Sequence, residues 1–138
     1  MEVTVAGERV RLRGSYDRVE TDPDGRLHIV DLKTGKSAPT AAEVARHPQL
    51  GVYQRTAADS GAPVAGAELV QLRVRDRHGA PKVQAQAAVE DGWVDTLLAD
   101  AVRVVRDERF DAVRGSHCRT CPVRAVCPAD DEGAEVLP

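Results

Sequence analysis

Apolar and polar residues alternate along Val3-Thr4-Val5 and again from Val10 to Val19, with Ala6-Gly7-Glu8 between the two runs. Successive side chains of a strand point to opposite faces, so this period of two predicts a strand, a tight turn and a second strand. The turn-rich stretch Thr21-Asp22-Pro23-Asp24-Gly25-Arg26 leads into a third, Leu27 to Lys33. Gly35 and Pro39 mark a loop, after which Thr40-Ala41-Ala42-Glu43 has the form of a capping box that opens a helix. Pro48 does not fit inside that helix but suits the first position of a second one, running to about Asp59. Gly61 to Gly66 returns the chain to an extended run, Ala67 to Arg75, and a turn at Asp76 to Pro81 folds it back along Lys82 to Val89. From Trp93 to Phe110 the apolar positions Trp93, Val94, Leu97, Leu98, Ala101, Val102 and Val105 recur at helical spacing. The predicted fold class is α/β (α+β): a mixed, mostly antiparallel sheet of about five strands flanked by helices, with residues 40–59 packed on one face and a cysteine-rich C-terminal segment.

Composition narrows the choice of partners. The chain has 138 residues, one domain's worth, with 42% hydrophobic but only 3% aromatic residues, so alanine and valine must fill much of the core. A net charge of −3 rules out an overall basic field that would draw the protein to nucleic acid, so any such contact is local or delivered by a partner. Arginines bunch at Arg9, Arg11, Arg13 and Arg18 and at Arg73, Arg75 and Arg77, where a wet strand face explains them equally well. No apolar run reaches membrane-spanning length and no signal peptide opens the chain, which makes the cytoplasm the expected location. Three cysteines clustered near one end argue for metal or cluster ligation over a disulfide framework. The acidic stretch 130–138 reads as a flexible tail.

Candidate chemistry sits on the hairpin that the turn at Asp22–Arg26 creates. With the loop centred on Asp24, Val19 pairs with Ile29 and Asp17 with Asp31, while Lys33 shares the face of Asp31. Opposed carboxylates repel unless a cation lies between them, and a hard ion such as Mg²⁺ takes carboxylate oxygens while keeping waters. The alternative is a solvated hairpin with charges on its wet face. Composition weakens it, because Lys33, Lys36 and Lys82 are the only lysines beside many arginines. Gln49 and Tyr53, four apart, share a helix face, either as site residues or packed on the sheet.

The runs Gly14-Ser15-Tyr16-Asp17-Arg18-Val19, Ile29-Val30-Asp31-Leu32-Lys33-Thr34-Gly35, Gln49-Leu50-Gly51-Val52-Tyr53 and Cys118-x₂-Cys121-x₅-Cys127-Pro128 together resemble the RecB-like branch of the PD-(D/E)XK nuclease superfamily. Within it the chain looks most like the nuclease modules of AddB- and AdnB-type helicase–nucleases, which also resemble CRISPR-associated RecB-like exonucleases. The likeness runs from Val3 to Pro128. It implies that Asp17 and Asp31 hold Mg²⁺ or Mn²⁺, that Lys33 positions or activates the attacking water, and that Gln49 and Tyr53 support the site and the DNA backbone. It also implies that Cys118, Cys121 and Cys127 ligate a [4Fe–4S] cluster.

Two departures stand out. The family's upstream helix, with its metal-binding histidine, and the first cluster cysteine have no counterpart here, so the chain reads as a nuclease core over 1–129 cut from a longer polypeptide. By position His28 and His47 do not fill the missing role and read as surface or structural. With three thiolates where a [4Fe–4S] cluster takes four, His117 offers a Cys₃His zinc site as an alternative, and three metal-free thiols are another.

The expected function is a metal-dependent (exo)deoxyribonuclease, endo- or exonuclease action being open from the sequence, working on DNA fed by a helicase of a RecBCD-, AddAB- or AdnAB-like complex in double-strand-break repair. The competing readings are a non-catalytic DNA-binding or scaffolding module of such a machine, and a small zinc-binding interaction domain.

Overall fold

A computed structural model describes residues 2–5, 7–90 and 92–129; the expected tail, 130–138, lies outside the described residues. Among the described residues six strands form two sheets. β1 (Glu2–Val5) and β2 (Glu8–Arg11) make an antiparallel pair, and β3 (Arg18–Thr21), β4 (Leu27–Lys33), β5 (Val64–Arg75) and β6 (Pro81–Ala87) make a four-stranded sheet in that order. β3–β4 and β5–β6 are antiparallel, whereas β4 and β5 run parallel, joined through α1 (Ala41–Ala45) and α2 (Pro48–Ala58). This is the mixed, mostly antiparallel sheet with flanking helices that the sequence predicts.

One strand differs. Alternation suggested a continuous strand from Val10 to Val19, but β2 ends at Arg11 and β3 starts at Arg18. Two apolar side chains of the linker explain the break, because Leu12 turns toward the cluster around Val3 and Val94 while Tyr16 packs against the cluster around Ile29 and Leu50. A straight strand does not serve both.

The helical signals hold. Thr40 Oγ1 accepts from the Glu43 N–H while the Glu43 carboxylate takes the Thr40 N–H at 2.6 Å, closing the capping box, and Pro48 opens α2. α1 and α2 press Val44, Leu50 and Ala57 onto Ile29 of β4 and Ala67 and Leu69 of β5, all buried. The elbow between the helices is tied to β6 by Gln86, whose Nε2 donates to the Val44 carbonyl at 2.8 Å while its Oε1 accepts from Gln54 Nε2 at 2.9 Å. A second cluster, Val3, Val5, Val94 and Leu98, joins the small sheet to α3 (Trp93–Arg106). Gly51 permits the approach of α3 to α2: a Cβ there would lie 2.6 Å from the Trp93 ring and 2.8 Å from a Val94 methyl.

Contacts divide the chain into two compact units, 1–102 and 103–138. α3 stops at Arg106 instead of reaching Phe110, with Glu108 in the left-handed region (φ 52°) and Arg109 N–H returning to the Val104 carbonyl at 3.3 Å. Beyond it the second unit holds two short 3₁₀ turns, Ser116–Thr120 and Arg124–Val126. Among the described residues no helix is long and apolar enough to cross a membrane.

Candidate active site

β4 carries the centre of the site. Ile29 pairs with Val19 and Arg18 with Val30, so the expected register is the observed one and places Asp17, one residue outside β3, opposite Asp31. Ile29, Asp31 and Lys33 share the face that α1 and α2 cover, while Leu32 points the other way and is exposed. Asp17 is itself exposed, and its Oδ2 accepts the Leu32 N–H at 2.8 Å, which holds the linker against the end of β4.

Asp31 is only 3% exposed, deep for a carboxylate. Its Oδ2 lies 2.8 Å from Lys33 Nζ, but the approach is not directed as a hydrogen bond, and the oxygen accepts none. It is therefore a buried anionic acceptor held by charge alone. Lys33 Nζ instead donates to Gln49 Oε1 at 2.6 Å, and Gln49 Nε2 donates to the Tyr53 hydroxyl at 2.9 Å. These contacts fix the Gln49 amide orientation, because an ammonium only donates. Asp31, Lys33, Gln49 and Tyr53 thus form one chain from strand to helix. Gln49 thus meets Lys33 and Tyr53, while Tyr53 also packs against the Ile29–Leu50 cluster.

Tyr16 extends the chain. Its ring meets that of Tyr53 edge to face at 5.1 Å, and its hydroxyl lies 2.8 Å from Thr56 Oγ1. Thr56 gives its single proton to α2 carbonyls, of Val52 at 2.9 Å and Tyr53 at 3.0 Å, so Tyr16 is the donor to Thr56. On the other flank, Gln71 pairs with Lys33 in the parallel register and is 1% exposed, with its Oε1 unpartnered.

His47 stands at the N-cap of α2. It precedes Pro48 at the start of α2, half-buried, with Nδ1 buried and unpartnered. Burial pushes its pKa below the ordinary value, and the positive charge of Lys33 adds to this against the opposing pull of Asp31. His28, by contrast, pairs with Glu68 of β5 at 3.3 Å and takes no part.

A hard divalent ion fits this donor set. Asp31 offers a buried, orphaned carboxylate oxygen and Asp17 a second carboxylate opposite in register, and Mg²⁺ is commonly held by one or two carboxylates with waters and substrate phosphate completing the shell. Among the described residues no group of three or more His, Cys, Asp or Glu side chains is gathered to hold a metal ion. That statement extends to the second unit, where Cys118, Cys121 and Cys127 are unpaired thiols that nonetheless line one small cavity with Arg114 and Arg124. Gly115 N–H donates to Cys118 Sγ at 3.2 Å, and the turns after Cys118 and Cys121 are closed by the Cys121 and Arg124 N–H groups.

A mixed sheet with the helical crossover of α1 and α2 over a strand ending in Asp-x-Lys, faced by a helical Gln and Tyr, defines a restriction-endonuclease-like fold. The match to the family model of the PD-(D/E)XK nuclease superfamily covers residues 1–128, and the chain belongs to that family. Among solved structures it is similar to the crystal structure of SSO0001, with a TM-score of 0.55 and 18% identity over 94% of this chain and 57% of that one, a likeness of fold. The chain thus spans little more than half the length of that protein. No curated protein matches it.

Proposed function

We propose that the protein is a Mg²⁺- or Mn²⁺-dependent deoxyribonuclease module, of the kind carried by AddB- and AdnB-type helicase–nucleases, that cuts DNA strands fed to it during double-strand-break repair. The observation that carries the reading is the Asp31–Lys33–Gln49–Tyr53 chain, since a solvated hairpin has no reason to bury a carboxylate under a lysine held from another element. Asp17 and Asp31 hold the divalent ion, which, when bound, neutralises charge on the scissile phosphate and favours deprotonation of the attacking water. Lys33 supplies a fixed positive charge beside the charge that develops on phosphorus. Gln49 aims that ammonium, and Tyr53 aims Gln49.

The cysteine segment is proposed to hold a [4Fe–4S] cluster completed by a fourth cysteine from outside these residues. Three thiols around one cavity, each beside a tight turn, support this. Iron and sulfide analysis of anaerobically purified full protein tests it, and stoichiometric zinc without iron would end it. For the nuclease itself the test is digestion of a labelled linear duplex with ATP and Mg²⁺ by the assembled complex. Loss of digestion with unwinding intact in Asp31→Ala is the expected result, and an active Asp31→Ala would defeat the proposal.

A further inference from the structure

Beside the site, between the 12–17 linker and α2, lies an open cleft of about 320 Å³ lined by Leu12, Arg13, Tyr16, Val52, Tyr53 and Thr56. Its walls are held from behind. Leu12 and Val52 pack on the Val3–Val94 cluster, and Tyr16 and Tyr53 on the Ile29–Leu50 cluster. Both tyrosine hydroxyls are committed, that of Tyr53 to Gln49 and that of Tyr16 to Thr56, so what the pair leaves for the cleft is ring surface. Arg13 is exposed and has no ion-pair or hydrogen-bond partner among the described residues.

We propose that this cleft is a nucleobase subsite, which takes one unpaired base of the strand being cut against Tyr16 and Tyr53 while Arg13 holds the neighbouring phosphate. The inference rests on the nuclease reading and gives it a substrate form. Two locked rings with a free guanidinium match a nucleotide, which joins an aromatic plane to an anion at fixed spacing. Every base has a π face, so such a platform binds without reading sequence. Position selects the nucleotide: Tyr53 belongs both to the cleft and to the chain that ends at Asp31, and Tyr16 directly precedes Asp17. The occupant therefore adjoins whatever phosphate lies at those carboxylates. A base seated there has left its stack, and the cleft accordingly favours single-stranded over paired DNA.

Photo-cross-linking tests the subsite without cleavage. A single-stranded oligodeoxynucleotide with one 5-iododeoxyuridine, irradiated with the full protein in EDTA, should cross-link to Tyr16 or Tyr53, as mapped by mass spectrometry. The yield should fall severalfold in Arg13→Glu, a change at an exposed position. Cross-links confined to residues outside the cleft overturn the proposal. A second measurement uses Mg²⁺ and oligonucleotides in which one abasic position is scanned along the strand. The bond beside the missing base should be cut roughly tenfold more slowly than the same bond in the intact strand. Tyr16→Leu should erase that difference and Tyr16→Phe, which keeps the ring, should preserve it. Should Tyr16→Leu fail to fold, a raised KM in Arg13→Glu carries the comparison, and an unchanged KM counts against the subsite. Cleavage indifferent to the abasic position removes the subsite and leaves the nuclease standing. A Tyr16 cross-link with no Asp31-dependent cleavage does the opposite.

Discussion

Lys33 Nζ on β4 donates to Gln49 Oε1 on α2 at 2.6 Å, so the site's lysine is oriented by a helix as well as by Asp31 of its own strand. A free lysine side chain has up to about 2 kcal/mol of rotamer entropy to lose on ordering. The Gln49 carbonyl and the Asp31 carboxylate hold the ammonium beforehand, which leaves the charge preorganised.

Replacing Lys33 with alanine leaves both carboxylates, so titration calorimetry should still detect Mg²⁺ binding while cleavage falls about 10²–10³-fold. The buried Asp31 also loses its counter-charge, so the metal-free variant should be less stable by roughly 1–3 kcal/mol, with part of the loss restored by Mg²⁺. Wild-type digestion rates in Lys33→Ala would move the active site elsewhere.

Asp31→Asn keeps the shape and removes the buried anion. Divalent-ion binding and cleavage should disappear together, because one exposed carboxylate, Asp17, is a poor site for Mg²⁺. Metal affinity that survives this change would mean that Asp31 is not a ligand.

The relay predicts a graded pair. Gln49→Leu frees Lys33 and should lower kcat about tenfold with little change in metal binding, since a hydrogen bond to a charged group contributes about 1.5–3 kcal/mol. Tyr53→Phe removes only the acceptor of the Gln49 amide and should cost less. Equal losses in the two variants would show that Tyr53 acts on its own and not through Gln49.

Gly51→Ala should destabilise despite helix propensity. Alanine gains up to about 1 kcal/mol over glycine in a helix, but its Cβ would lie 2.6 Å from a Trp93 ring carbon that α3 holds in place. Overpacking of this kind costs roughly 1–3 kcal/mol, so we expect a net loss of about 1–2 kcal/mol in urea denaturation. A higher Tm would show that α3 shifts freely.

His47 gives the fold a pH dependence. Its folded pKa lies below the ordinary 6.5, mainly through burial, so the unfolded chain takes up a proton more readily than the native one as the pH drops. The contribution is present above 6.5 and is lost as the pH falls through the folded value. Urea midpoints measured from about pH 7.5 to about pH 5 should drop more steeply in the wild type than in His47→Gln. Parallel curves would remove His47 as the cause.

Elements whose signals lie within a few residues were legible from the chain. The Thr40–Glu43 capping box, Pro48 at the start of α2 and the Val19–Ile29 register each depend on neighbours in sequence, as does the shared face of Asp31 and Lys33. Where alternation misled, the cause was distant: residues 12–17 keep the period of a strand, but Leu12 and Tyr16 are drawn to two different clusters.

By itself, then, the sequence determined which residues could form a site and which face of each element they occupy, because strand and helix periods are local properties of the backbone. Only the tertiary structure decided that β4 and β5 run parallel, that Lys33 reaches Gln49 and that Asp31 is buried. Those outcomes depend on how α1 and α2 pack back over the sheet. Packing of that kind is a sum of many weak contacts between residues far apart in the chain, and no single motif encodes it.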